Sequence, residues 1–160
     1  MKFKNNIIEI LIIVGVLLLL FYSSDPTIYS DSGRYIVGGR LDPPMYSKII
    51  KVMLLIFGTL NSVVVLQTLL IGSGVIYFSR TVAVHFDLNI VTKIFISLFL
   101  FLPALQFYNN ILTESLSYAF SLFFVSSVFK LIFNYSYQNL FKVTFFIIAL
   151  LLTRNQFMLL

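Results

Sequence analysis

The chain has 160 residues, of which 59% are apolar and only 11% charged, and its mean hydropathy is +0.99. Soluble domains are typically about 45–50% apolar and about a quarter charged, so this composition excludes a soluble enzyme and calls for lipid over most of the outside. The absence of Cys removes disulfides, thiolate metal sites and cysteine nucleophiles, and a single His85 cannot build a histidine cluster.

The net charge of +5 comes from basic residues scattered singly, the pattern of topology markers rather than of a nucleic-acid surface. The 18 Phe read as lipid-facing and the 9 Tyr as an interfacial belt. Residues 1–6 form a short basic tail with Lys2 and Lys4, and residues 7–22 are an apolar run broken only by Glu9. That run is long for a signal peptide and no small-x-small cleavage site follows, so it is read as an uncleaved first span.

Residues 23–46 are the most polar stretch, holding Asp25, Asp31, Arg34, Arg40, Asp42 and the pair Pro43-Pro44, and are read as a loop with a short helix over 30–37. The pattern is helical from 47 to 80. One helix of that length would run about 50 Å, against a hydrocarbon core of about 30 Å, so it must break. We place an amphipathic interfacial helix at 47–57 with Lys48 and Lys51 on its wet side, a break near Gly58–Asn61, and a second span over 59–78.

Residues 79–89 form a polar connection with Arg80, His85 and Asp87, read as solvated. A third span covers 90–107 and contains Pro103, and Tyr108-Asn109-Asn110 is a tight turn. A fourth span covers 111–133 with Glu114 in its first turn, 134–142 is a polar loop, and 143–160 is a fifth span with Arg154 and Asn155 in its distal part. The fold class expected is therefore an all-α integral membrane protein with about five transmembrane helices and an amphipathic helix in the first outer loop.

Basic residues set the orientation. With the N-terminus cytoplasmic, Lys2, Lys4, Arg80, Lys93, Lys130 and Lys142 lie inside and the uncharged turn 108–110 lies outside. Asp25, Asp31, Asp42 and Glu114 then share the outer face, and Arg154 approaches it from the fifth span. Ionisable groups at membrane depth are costly and are usually paired or functional. Glu114 and Arg154 fit a mutual pair, Glu114 also fits a helix N-terminal charge, and Arg154 fits a side chain snorkelling to the interface.

Asp25 and Asp42 each precede a proline and read as turn residues. Asp31 opens the run Asp31-Ser32-Gly33-Arg34-Tyr35 and fits either a helix cap or a ligand. Gly72-Ser73-Gly74 suits close helix approach, and it lacks the strand–loop–helix context of a phosphate loop. Asn134-Tyr135-Ser136 fits a glycosylation sequon but falls on the inner side.

Together these segments resemble the N-terminal part of the polytopic lipid-linked-sugar glycosyltransferases of the GT-C superfamily, of the protein-O-mannosyltransferase and aminoarabinose-transferase type. The resemblance rests on Asp31-Ser-Gly-Arg-Tyr35 after the first span and on Asp42-Pro-Pro-Met-Tyr46 before an apolar helix closing on Phe57-Gly58. It rests also on Leu112-Thr-Glu-Ser-Leu116 opening the fourth span, and on Leu152-Thr-Arg-Asn155. Asp42 stands where the family commonly has His, Asn155 stands where Pro is common, and the loop has a single acid where some members have a pair. Because the family has more spans and the chain closes on Met158-Leu159-Leu160 without a polar flank, residues 1–160 are expected to be one membrane domain, the front of a longer protein.

The resemblance implies a lipid-linked (polyprenyl-phosphate) sugar donor, a protein, lipid or glycan acceptor at the outer face of the plasma (inner) membrane, and inversion at the anomeric carbon. Asp31 would be the base, acting directly or through a divalent metal ion, with Glu114 orienting the acceptor or the base. Arg34, Tyr35 and Arg154 would bind substrate, an arginine offsetting the phosphate leaving group. Membrane lipids are expected partners and nucleic acid is not. A non-enzymatic multi-pass subunit and a transporter fragment are the alternatives. The transporter fits less well, because its charges belong near mid-membrane rather than at one face.

Overall fold

The computed structural model describes residues 25–38 and 43–154. The expected first span, Glu9, Arg40, Asp42 and Asn155 lie outside the described residues. Within them the fold is all-helical, with six helices: α1 Ser30–Val37, α2 Pro44–Phe57, α3 Asn61–His85, α4 Ile90–Ala104, α5 Thr113–Phe133 and α6 Tyr137–Thr153. Two of these, α3 and α5, are long and apolar enough to cross a membrane; α4 and α6 are shorter apolar helices.

The punctuation of the helices is local chemistry. The short helix expected over 30–37 forms with those bounds, with Asp31 in its first turn and the Tyr29 N–H donating to Ser32 Oγ at 2.9 Å. The amphipathic helix starts at Pro44 rather than 47. Proline at the first helical positions loses no hydrogen bond there and carries a helical φ. It ends at Gly58, whose φ of +69° closes the last turn with an N–H to the Leu54 carbonyl at 2.9 Å. The expected break near 58–61 is therefore a left-handed glycine.

Three boundaries differ from expectation. The polar connection expected at 79–89 is helical as far as His85, because the hydrogen-bonded ladder meets no breaker until Asp87, at φ +48°. His85 is also not simply solvated: its ring stacks on Phe133 with centroids 4.4 Å apart. The expected third span is α4, which stops at Ala104, one residue after Pro103, and residues 105–109 turn instead. The loop expected at 134–142 is helical from Tyr137, because Ser136 Oγ accepts from the Asn139 N–H at 3.2 Å and caps α6.

The packing centres on α3 and α5. Their small faces meet where a Cβ on Gly74 would stand 3.2 Å from the Ala119 carbonyl oxygen and 3.4 Å from Leu122 Cβ, the close approach the glycine pair suggested. On one side Ile71, Val75, Phe101, Ala104, Ala119 and Leu122 join α3, α4 and α5. In a second cluster, Tyr46, Ile50, Val63, Leu116 and Leu150 join α2, α3, α5 and α6. Phe95, Phe99, Phe141 and Phe145 point outward.

This up-and-down order puts the start of α3, the end of α4, the start of α5 and the end of α6 at one end of the bundle. The segment before α1 is tied to the same end. The Thr27 N–H donates to the Asn109 carbonyl at 3.0 Å, the Ile111 N–H donates to the Thr27 carbonyl at 3.2 Å, and Asn109 Nδ2 donates to Thr27 Oγ1 at 3.1 Å.

Candidate functional site

The five residues singled out in the sequence come together at this end. Asp31 and Arg34 lie one turn apart on α1 and face each other at 3.7 Å, both exposed. The next residue, Tyr35, reaches across to α5, where it is hydrogen bonded to Thr113. Thr113 Oγ1 in turn donates to Glu114 Oε2 at 3.4 Å. Glu114 Oε1 is 3.3 Å from a guanidinium nitrogen of Arg154, the residue that ends α6. Both members of this pair are about a third exposed, at 38% and 32%.

Tyr35 is the electrostatic centre of the group. Burial raises its phenol pKa, the hydrogen bond to Thr113 opposes that, and the charges of Asp31 and Glu114 raise it further while Arg34 lowers it. Tyr35 is accordingly a neutral phenol near pH 7, able to donate. Both carboxylates are close enough to act on one hydroxyl although they sit on different helices.

Several supporting residues were not among the sequence candidates. Tyr46 is fully buried, packs edge-on against Tyr35 with centroids 5.4 Å apart, and has a strongly raised pKa, chiefly from burial. Its hydroxyl donates to Gln67 Oε1 at 2.9 Å, and Gln67 Nε2 donates to the Asn110 carbonyl at 3.0 Å. Gln67 thus ties α2 to the turn that holds Thr27. Its signal was legible as the sole amide within the apolar run of α3. Thr153, also fully buried, donates to Met45 Sδ at 3.8 Å and holds the end of α6 beside the start of α2. No sequence pattern announces that contact.

Asp25 remains exposed and contributes only a backbone carbonyl, to Asn109 Nδ2 at 3.4 Å, as its reading as a turn residue implies. Among the described residues no group of three His, Asp or Glu side chains comes together, and Asp31 and Glu114 each face an arginine. What the arrangement offers is two carboxylates, two guanidinium groups and a neutral phenol at one rim, above a hydrogen-bonded platform. Comparison of the chain with protein-family models, with curated proteins and with solved structures finds no match.

Proposed function

We propose that the chain is a multi-pass membrane protein, N-terminus cytoplasmic, that transfers a sugar from a polyprenyl-phosphate donor to an acceptor at the outer face of the plasma membrane. The observation that carries the reading is the convergence, at one end of an apolar bundle, of Asp31 and Arg34 on α1 with Tyr35, Glu114 and Arg154. A substrate with an apolar tail and an anionic head meets both of its environments at such a rim, and the resemblance in the sequence runs through the same residues.

In this reading Asp31 takes the proton of the acceptor hydroxyl as its oxygen attacks the anomeric carbon from the face opposite the phosphate. The bond from that carbon to the phosphate oxygen breaks and polyprenyl phosphate leaves with the electron pair. Arg154 or Arg34 meets the charge that develops, a task suited to the guanidinium fork. Glu114 holds Arg154 in place until donor arrives, and Tyr35 offers its hydroxyl to a sugar or phosphate oxygen.

A second reading is favoured by one feature. Glu114 and Arg154 already satisfy each other, as a structural pair joining two helices would in a non-enzymatic subunit. Asp31→Asn separates the two. Transfer of radiolabelled sugar from polyprenyl phosphate by the intact gene product should fall by about 100-fold or more if Asp31 is the base. Full activity in that variant removes Asp31 from the chemistry, and no activity in the wild type with any donor favours the subunit.

A further inference from the structure

The first residue of α5 carries a hydroxyl that is used differently from those deeper in the bundle. Ser73, Thr81, Ser121 and Ser126 each donate to the carbonyl four residues back in their own helix, at 2.7, 2.7, 2.7 and 2.6 Å. Such a bond satisfies a hydroxyl among apolar side chains and leaves it no proton to give elsewhere. Thr113 lacks that outlet. The residue four back is Asn109, in the turn before α5, and its carbonyl already accepts from the Thr27 N–H at 3.0 Å.

Thr113 is nonetheless withdrawn from water, only 3% exposed. Its proton goes to Glu114 Oε2 at 3.4 Å, while the other oxygen of that carboxylate lies 3.3 Å from Arg154. The Tyr35 hydroxyl is bonded to the same threonine. A threonine hydroxyl has one proton, so with that proton on Glu114 the phenol is the donor in its bond to Thr113. The chain runs from phenol to hydroxyl to carboxylate to guanidinium, and from α1 through α5 to the end of α6.

We propose that Thr113 is a positioning residue for sugar transfer, turning its one proton from Glu114 to Tyr35 as substrate binds. Before substrate arrives, Thr113 holds Glu114 and takes the phenol proton of Tyr35. When a sugar or phosphate oxygen reaches the rim, Tyr35 turns its proton outward to that oxygen, and Thr113 turns its own to the phenol oxygen. Tyr35 then donates to substrate while accepting from Thr113, and in such a chain each hydrogen bond polarises the next. The same rotation frees Glu114 Oε2 to accept from the acceptor hydroxyl. Only hydroxyl rotors move, and no covalent bond is made or broken. The inference rests on the transfer reading of this rim and gives a residue that touches no substrate a part in its recognition.

Transfer of radiolabelled sugar from polyprenyl phosphate by the intact gene product tests it. Thr113→Val keeps the side-chain shape without the hydroxyl and should lower kcat/KM by about tenfold, mostly through KM. Thr113→Ser keeps the hydroxyl and should restore most of the loss. Because the two residues act as one chain, adding Thr113→Val to Tyr35→Phe should lower kcat/KM by only about twofold more. If valine prevents folding, Thr113→Ala carries the same expectations. Unchanged kinetics without the hydroxyl, a loss that serine does not restore, or full additivity with Tyr35→Phe overturns the proposal while the transfer reading stands. A wild type that transfers no sugar from any polyprenyl-phosphate donor fails the transfer reading, and this inference with it.

Discussion

The hydroxyl of Tyr46 donates to Gln67 Oε1 at 2.9 Å across two helices, and both residues are completely buried. Gln67 spends its amide nitrogen on the Asn110 carbonyl at 3.0 Å, so one side chain couples α2, α3 and the turn before α5. Gln67→Leu keeps the volume and removes every one of these bonds, leaving a phenol and a backbone carbonyl unsatisfied in an apolar interior. We expect a loss of about 2 kcal/mol of stability. Thermal or denaturant unfolding of the purified variant measures it, and an unchanged midpoint would show that the network is not under stress when broken.

That network also shows what was and was not legible in the sequence. The order and type of the helices followed from apolar periodicity and from breakers such as Gly58 and Pro103, and α1 was placed from one polar run. The misplaced boundaries are those set by a weak local signal: a serine cap before α6, and the continuation of α3 through a polar but breaker-free stretch. For the site, charge rarity singled out Asp31, Arg34, Glu114 and Arg154, and Tyr35 came only with the run Asp31-Ser-Gly-Arg-Tyr35 that carries the family resemblance. The neutral partners Thr113, Tyr46 and Thr153 escaped, because a buried hydroxyl in a sequence rich in Ser, Thr and Tyr carries no distinguishing pattern. Only the tertiary approach of α1, α2 and α6 gives those three a role.

Arg154 and Glu114 join the last turn of α6 to the first turn of α5 at 3.3 Å. With both side chains about a third exposed, solvent screens the attraction, and a double-mutant cycle with Arg154→Gln and Glu114→Gln should give a coupling of about 0.5–1 kcal/mol. The consequence for transfer should be larger than for stability. If Arg154 meets the phosphate leaving group, Arg154→Gln lowers turnover by about 100-fold, and Arg154→Lys recovers only part of it because the fork is lost. Variants that unfold more easily yet keep turnover would place the pair in structure alone.

Tyr35 and Tyr46 make stability sensitive to alkali. Burial raises both phenol pKa values above the ordinary 10.0, so the folded state holds these protons more tightly than the unfolded chain. The stability they contribute is fully present below pH 10.0 and is lost as pH rises above that value towards the folded pKa. The wild type should therefore weaken more steeply above pH 10.0 than the double variant Tyr35→Phe, Tyr46→Phe. The double variant starts lower at neutral pH, since Gln67 Oε1 loses its donor. Unfolding midpoints taken across that range compare the two slopes, and parallel curves would contradict the burial of the phenols.

The α3–α5 contact supplies the most direct test of the bundle itself. Alanine is worth about 1 kcal/mol more than glycine inside a helix, so Gly74→Ala should stabilise α3 in isolation. In the folded chain the new Cβ stands 3.2 Å from the Ala119 carbonyl oxygen and 3.4 Å from Leu122 Cβ, and a backbone atom cannot swing aside as a side-chain tip would. The propensity gain should therefore be cancelled, leaving Gly74→Ala near neutral. Gly74→Leu must push the helices apart through both apolar clusters and should cost about 1–3 kcal/mol. Gly58→Ala serves as the opposite case, because nothing lies within 4 Å of its Cβ and its penalty comes from a φ of +69° alone. At that position the expected loss is about 1 kcal/mol, and a leucine there should do little further harm. Measured together, a steep dependence on side-chain size at 74 and a flat one at 58 identify close helix approach as the constraint on Gly74. A flat response at both would mean that α3 and α5 do not meet at this separation.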